Sequence, residues 1–255
     1  MWTDAIDLRD FYASSLGRVA RRMIIRRIRL MWPDVRGQNV LGIGFAAPFL
    51  GIFRSEAQRV IAIMPAAQGV LHWPAEALNL ACLGDETALP LPDRSMDLVM
   101  LVHALECAEH TRPMMREIWR VLADGGRMIV VVPNRRGLWA RFERTPFGHG
   151  RPYTPAQLSR GLRDTMFTPH QSAAALFVPP IHSRMVLSSA GAWEEIGQRW
   201  FPSFAGVVLF EASKQIFATQ TVYATAKRRR AYAPVASSYR RGLGRARSGW
   251  VRAQS

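Results

Sequence analysis

Lysine is almost missing from this 255-residue chain, with Lys214 and Lys227 standing against 32 arginines. Acids are scarce as well, 19 against 34 basic residues, which leaves a formal net charge of +15. That excess draws the protein toward polyanions, although a GC-rich coding bias accounts for arginine over lysine without selection for guanidinium chemistry. Cysteine is confined to Cys82 and Cys107. Two thiols exclude a disulfide framework and a four-cysteine zinc site. Both lie in apolar stretches that predict buried, inert thiols, and their scarcity points to a reducing, cytoplasmic compartment. No metal-ligand spacing and no Cys-His or Ser-His-Asp pattern stands out. The N-terminal MWTDAIDLRD lacks the apolar core of a signal peptide. The longest apolar stretch, from Val40 to Phe53, is too short and too broken by glycine to span a bilayer.

What is present is a chain with 49% hydrophobic residues, enough for a sizeable core. Residues 7 to 32 read as one helix, with Leu16, Ala20, Met23, Ile24, Ile28 and Met31 at helical spacing on one side. Arg18, Arg21, Arg22, Arg26 and Arg29 form a stripe on another side. It serves as a solvated face or as a surface for RNA or an anionic membrane. Five short, nearly continuous apolar runs follow, NVLGIGF, RVIAIMP, NLACLGD, MDLVMLVHALE and RMIVVVPN, beginning near residues 39, 59, 79, 96 and 127. Continuous apolarity predicts strands buried on both faces, as in a parallel sheet covered by helices. HTRPMMREIWRVLADGG is the clearest crossover helix, expected to stop at Gly125-Gly126. Thr154 and Pro155 open another helix over 154–167. SAGAWEEIGQRW reads as a further helix, and SAAALFV and GVVLFEASKQ as two more strands. The fold class predicted is a doubly wound α/β sheet. In such a sheet a ligand lies beyond the carboxyl ends of the strands, here after Phe45, Met64, Asp85, His103 and Pro133.

Three regions follow from this pass: a basic amphipathic helix over 1–36, an α/β domain over 37–226, and a basic tail over 227–255. The tail holds nine basic residues, no acid and no apolar period, which predicts disorder.

The stretch LPLPDRSMDLVMLVHALECAEHTRPMMREIWRVLADGGRMIVVVPN, residues 89 to 134, resembles the class I S-adenosylmethionine-dependent methyltransferases. Within them it is similar to the bacterial branch reading LPFPDGSFDLV and EIWRVLKPGGR. The later HGRPYTPAQLSRGLRDTMF is similar to that branch's His-x-Arg-x-Tyr segment. The resemblance covers roughly residues 37 to 215 and implies a Rossmann-like sheet of seven strands, the last inserted antiparallel. It also implies S-adenosylmethionine across the strand tips, and a small-molecule acceptor. On this resemblance Gly42, Gly44, Phe45, Met64, Asp85 and Glu86 border the cofactor, Asp85 at the place of the acid that takes the adenine amino group. The family's first loop is altered: Gly42 stands where a carboxylate is usual, and Ala46 and Pro48 stand at glycine positions. Met64 or Pro65 stands where an acid usually holds the ribose hydroxyls. A lost charge-assisted hydrogen bond costs about 1.5–3 kcal/mol.

Each of these residues has a plainer reading beside the functional one. Gly42 and Gly44 serve a cofactor or a tight turn, and Asp85 serves an adenine or a loop cap. His103, at the end of the fourth apolar run, is a candidate base or a buried, hydrogen-bonded histidine. Asp97 reads as a structural acid, Glu106 as a second-line acid, and His149, Arg151 and Tyr153 as a substrate wall or a packed lid. Two functions stay open: a methyltransferase acting on a small molecule, or a fold that has lost its chemistry. The second would bind RNA, an anionic membrane or an acidic protein through its basic helix and tail.

Overall fold

The structure, a computed structural model, describes residues 4–215. The expected basic tail lies outside them. Seven strands form one sheet: β1 (Asn39–Gly44), β2 (Arg59–Pro65), β3 (Ala81–Gly84), β4 (Met96–Val102), β5 (Leu122–Pro133), β6 (Phe167–Ala175) and β7 (Val207–Lys214), in the order β3-β2-β1-β4-β5-β7-β6. β1 to β5 pair in parallel, and β7 lies antiparallel between β5 and β6. This is the Rossmann-like methyltransferase arrangement that the resemblance implies.

The apolar runs feed two cores by alternation. Val40, Leu98, Met100, Val102, Ile129 and Val131 point to one face. Leu41, Ile43, Val99, Leu101, Val130 and Val132 point to the other. A period of two over uniformly apolar strands buries both faces. The second face is covered by α4 (Thr111–Val121) and α5 (Pro155–Asp164), which bury Met114, Ile118, Leu158 and Leu162. Thr154 caps α5 in a capping box with Gln157, and Pro155 takes the first turn. The first face is covered by α1 (Ala5–Ala13), α2 (Ser15–Met31) and α3 (Ala47–Leu50). α6 (Arg184–Ser188) and α7 (Ala190–Trp200) lie between β6 and β7.

Four expectations need correction. The single helix over 7–32 is two helices. Ser14 is extended, ends α1, and accepts from the Gly17 amide at 3.0 Å to cap α2. A Cβ on Gly17 would stand 1.9 Å from the Phe11 carbonyl oxygen, so only glycine permits this sharp joint. The crossover helix ends at Val121 rather than at Gly125-Gly126, because Leu122 is already extended and starts β5. Strand and helix alternate less regularly than expected: α3 has four residues, and no helix separates β2 from β3 or β3 from β4. Cys82 is exposed rather than buried, since it sits on β3, the strand at the edge of the sheet. Cys107 is partly buried, and burial with the charge of Glu106 pushes its thiol up to about 12.

The apolar side expected of the N-terminal segment is borne out: Leu16, Ala20, Met23, Ile24, Ile28 and Met31 are all buried. Among its arginines, Arg18, Arg22 and Arg26 face solvent. Arg21 donates to the Pro48 carbonyl, and Arg29 pairs with Glu56.

Candidate functional site

The carboxyl tips of β1, β2 and β4 meet where the sequence places a cofactor crevice, and the chain fills that crevice itself. β1 ends in Gly44, whose φ of +79° turns the backbone sharply. A Cβ there would lie 2.4 Å from the Val102 carbonyl oxygen. The Phe45 amide donates to the same carbonyl at 2.8 Å, so it is not offered to a ligand. A Cβ on Gly42 would meet Leu50 Cδ1 at 2.5 Å and Ala46 Cβ at 2.7 Å. The space that a carboxylate would need at this place is taken by the first turn of α3.

The hollow beyond these glycines holds aromatic side chains. Tyr12 of α1 enters it, stacks on Phe45 with centroids 6.0 Å apart and planes 11° from parallel, and meets Phe49 edge-on at 5.3 Å. Its hydroxyl lies 2.7 Å from His103 Nε2. Phe147 packs 5.0 Å from the His103 ring and 5.4 Å from Trp139. The helix that carries Tyr12 is anchored at its start, where the Ala5 amide donates to the Gln68 carbonyl at 2.7 Å. The Gln68 side chain in turn donates to the His103 carbonyl. Phe45 and Met64, which the resemblance puts beside the cofactor, are buried core residues in this arrangement.

His103 therefore sits in a buried relay. It has a φ of +51°, a conformation that non-glycine residues keep only when their surroundings impose it. Its Nε2 faces Tyr12 and its Nδ1 lies 3.2 Å from Glu106 Oε1. Burial, then the charge of Glu106, lifts the Tyr12 phenol well above its usual 10.0. The same two causes, in the same order, lift Tyr153. Neither carboxylate oxygen of Glu106 has a well-formed hydrogen bond, and Gln68 Oε1 has none. Such unpaired buried acceptors carry a desolvation cost of about 1–3 kcal/mol each, more for a charge.

The remaining expected residues spread out. Asp85 is exposed and folds back on Thr87, accepting from its amide and hydroxyl at 2.7 Å each, and these bonds hold its carboxyl below the usual range. Glu86 is half-buried and borders a cavity of about 50 Å³ with Gln68, Ala104 and Cys107. That space suits a water, whereas ligand clefts run to roughly 300–1,000 Å³. Asp97 accepts from the Asn39 amide and ties the start of β1 to β4. His149 contacts the Glu143 carbonyl, the Arg151 amide donates to the Glu106 carbonyl, and the Tyr153 amide donates to Pro133. Of the three, Arg151 reaches Glu106 through its backbone while remaining exposed itself. A larger hollow of about 220 Å³ opens elsewhere, between α4 and α5, lined by Leu105, Met115, Tyr153 and Leu162. Tyr12 and Gln68 are the members of the site that sequence reasoning missed. The FYASSLG stretch carried a signal, since a tyrosine on the apolar side of an N-terminal helix brings a hydroxyl into a core.

The residues at the tips thus do not fit an adenosyl group in this conformation. Room is lacking, the Gly42 and Met64 places offer no acceptor, and the one exposed acid, Asp85, is spent on its own turn.

Residues 32–130 match the family described as a methyltransferase domain. Demethylmenaquinone methyltransferase from Thermus thermophilus is 27% identical over 158 residues, which are 61% of this chain and 64% of that protein. The match therefore spans less than two thirds of the relative's length. Among solved structures, a methyltransferase dependent on S-adenosylmethionine from Thermotoga maritima aligns with a TM-score of 0.55 at 16% identity, covering 81% of this chain and 94% of that one. Another, from Mesorhizobium loti, aligns with a TM-score of 0.52 at 16% identity, covering 79% and 99%. At such identities the likeness concerns the fold alone.

Proposed function

We propose, for a chain that belongs to the class I S-adenosylmethionine-dependent methyltransferase family through its residues 32–130, that it transfers methyl groups to a small-molecule acceptor and that α1 holds it shut. The observation that carries this reading is the Tyr12 hydroxyl 2.7 Å from His103 Nε2, at the head of a buried His103–Glu106 pair. A crevice merely repacked as core has no use for a buried carboxylate with unpaired oxygens. A site that handles a proton does. In this reading, once Tyr12 withdraws, His103 Nε2 would take the acceptor's proton, with Glu106 3.2 Å from its Nδ1. S-adenosylmethionine, when bound, supplies a methyl group already activated by the sulfonium, so positioning does most of the remaining work.

Opening costs energy. Leu8, Phe11 and Tyr12 are buried, and exposing each costs about 1.5–3 kcal/mol. A ligand must supply that sum, about 4.5–9 kcal/mol, which lowers its apparent affinity by roughly three to six orders of magnitude. Titration calorimetry with S-adenosylhomocysteine tests the proposal. The full chain should bind weakly and Tyr12→Ala at least about tenfold more tightly. If neither protein binds at millimolar ligand while both remain folded, the reading fails.

A second reading has its own support in the absent acceptors at Gly42 and Met64. In it the fold is kept as a scaffold and binds a partner through its basic surface. It predicts a Tyr12→Ala protein that stays folded and takes no cofactor. It leaves the buried His103–Glu106 pair unexplained.

A further inference from the structure

The segment between β6 and β7 carries apolar side chains into solvent on the same edge of the sheet as the crevice. α7 buries Ala190, Glu194 and Gly197. The side next to these, about a quarter turn round the helix, presents Trp193, Ile196 and Trp200 at a spacing of three and four residues, a single stripe. The stripe continues into Phe201 and Phe204, and Met185 of α6 stands before it. Met185 is 80% exposed, Trp200 67% and Phe204 57%. Side chains so open are projections rather than the walls of a groove. They suit insertion into a soft apolar phase better than reception of another protein's knobs.

Charge around the projections is positive on balance, most of it from the 135–151 segment. The Trp139 indole donates to the Val178 carbonyl at 2.8 Å, and the Asn134 side chain donates to the Ser203 and Ala205 carbonyls. These bonds bind the 135–151 and 176–206 segments into one rim. Together the two segments hold seven arginines against three glutamates. One of those acids, Glu194, is buried beneath the stripe beside Arg27. Arg184, Arg136 and Arg141 are exposed, and Arg199 lies over the Trp200 ring at 5.9 Å. Tryptophans and phenylalanines flanked by arginines are the chemistry of the boundary between headgroups and acyl chains.

We propose that the α7 stripe docks this protein on an anionic lipid surface, with Trp193, Trp200 and Phe204 in the acyl boundary and the rim arginines among the headgroups. The carboxyl edge of the sheet then faces the bilayer. The docking stands independently of whether the crevice opens.

The test uses the full chain and vesicles of phosphatidylglycerol with phosphatidylcholine, and of phosphatidylcholine alone. Flotation should recover the protein with the anionic vesicles and far less with the neutral ones. The paired variant Trp193→Ser with Trp200→Ser should bind the anionic vesicles about tenfold or more weakly, with an unchanged melting temperature. Brominated acyl chains should quench the fluorescence of the natural chain and lose most of that quenching in the variant. The basic residues from 227 onward remain in both proteins, so equal flotation of the two would assign lipid binding to charge alone and overturn the proposal. Failure of the natural chain to float, or shielding of the stripe by RNA or by a second copy instead, would also overturn it.

Discussion

Phe11, Tyr12, Phe45, Phe49, Phe147 and Trp139 form a connected buried stack at the tips of the strands. Trp193, Trp200, Phe201 and Phe204, on the same edge of the same sheet, stand in solvent. The residue types are alike, and what differs is the company they keep. In the crevice two helices and the turn after β1 converge, so each ring finds another ring and the one phenol finds a histidine. On the rim α7 packs one side against α6, the stretch around Phe177 and Arg27 of α2, and leaves its aromatic stripe in solvent. Aromatic content alone therefore says little about where a ligand goes. In this chain the hollow expected to take a cofactor is full, and the apolar surface open to a partner lies beside it.

The largest effect should come from emptying the stack. Phe49→Ala should cost about 3–5 kcal/mol in denaturant unfolding, because its ring is fully buried. The matching change on the rim, Phe204→Ala, should stay within about 0.5 kcal/mol. Comparable losses at both places would break the contrast. Gly44→Ala comes next, losing about 1–3 kcal/mol from its positive φ alone, with the contact to the Val102 carbonyl added.

Tyr12→Phe keeps the ring and removes the hydroxyl, leaving His103 Nε2 without its partner, at a cost of about 1–3 kcal/mol. It should also change the alkaline limb. A phenol raised on folding contributes stability that is full below its unfolded value of 10.0 and is lost as pH climbs toward the folded value. The natural chain should therefore lose stability above about pH 10 more steeply than Tyr12→Phe, and parallel curves would contradict the burial of that hydroxyl.

The smallest effect concerns the thiols. Cys82 is exposed and Cys107 is held as a neutral thiol to about 12. Near pH 8 an alkylating reagent should modify Cys82 first and Cys107 only on unfolding.

Much of the fold was legible because strand and helix signals lie in local periodicity. The starts of β1, β2 and β4, the cap at Thr154 and the apolar side of α2 are all found where the sequence places them. The joint at Ser14 was not, since its cause is the approach of Gly17 to the Phe11 carbonyl, a contact that periodicity does not encode. The exposure of Cys82 depends on β3 taking the sheet edge, which is a matter of strand order. The site was legible in part. His103 was singled out both as a candidate base and as a buried, hydrogen-bonded residue, and the altered loop at Gly42, Ala46 and Pro48 was visible. That Tyr12, 91 positions away, meets His103 is a tertiary fact. It turns an altered loop into a filled one.

The central claim is that Tyr12 and the adenosyl group exclude one another. Crystals grown with saturating S-adenosylhomocysteine test it most directly. The account predicts that any crystal showing the adenosine across the tips of β1 and β2 will show Tyr12 withdrawn from His103. Adenosine in that hollow with the Tyr12–His103 bond intact would contradict it.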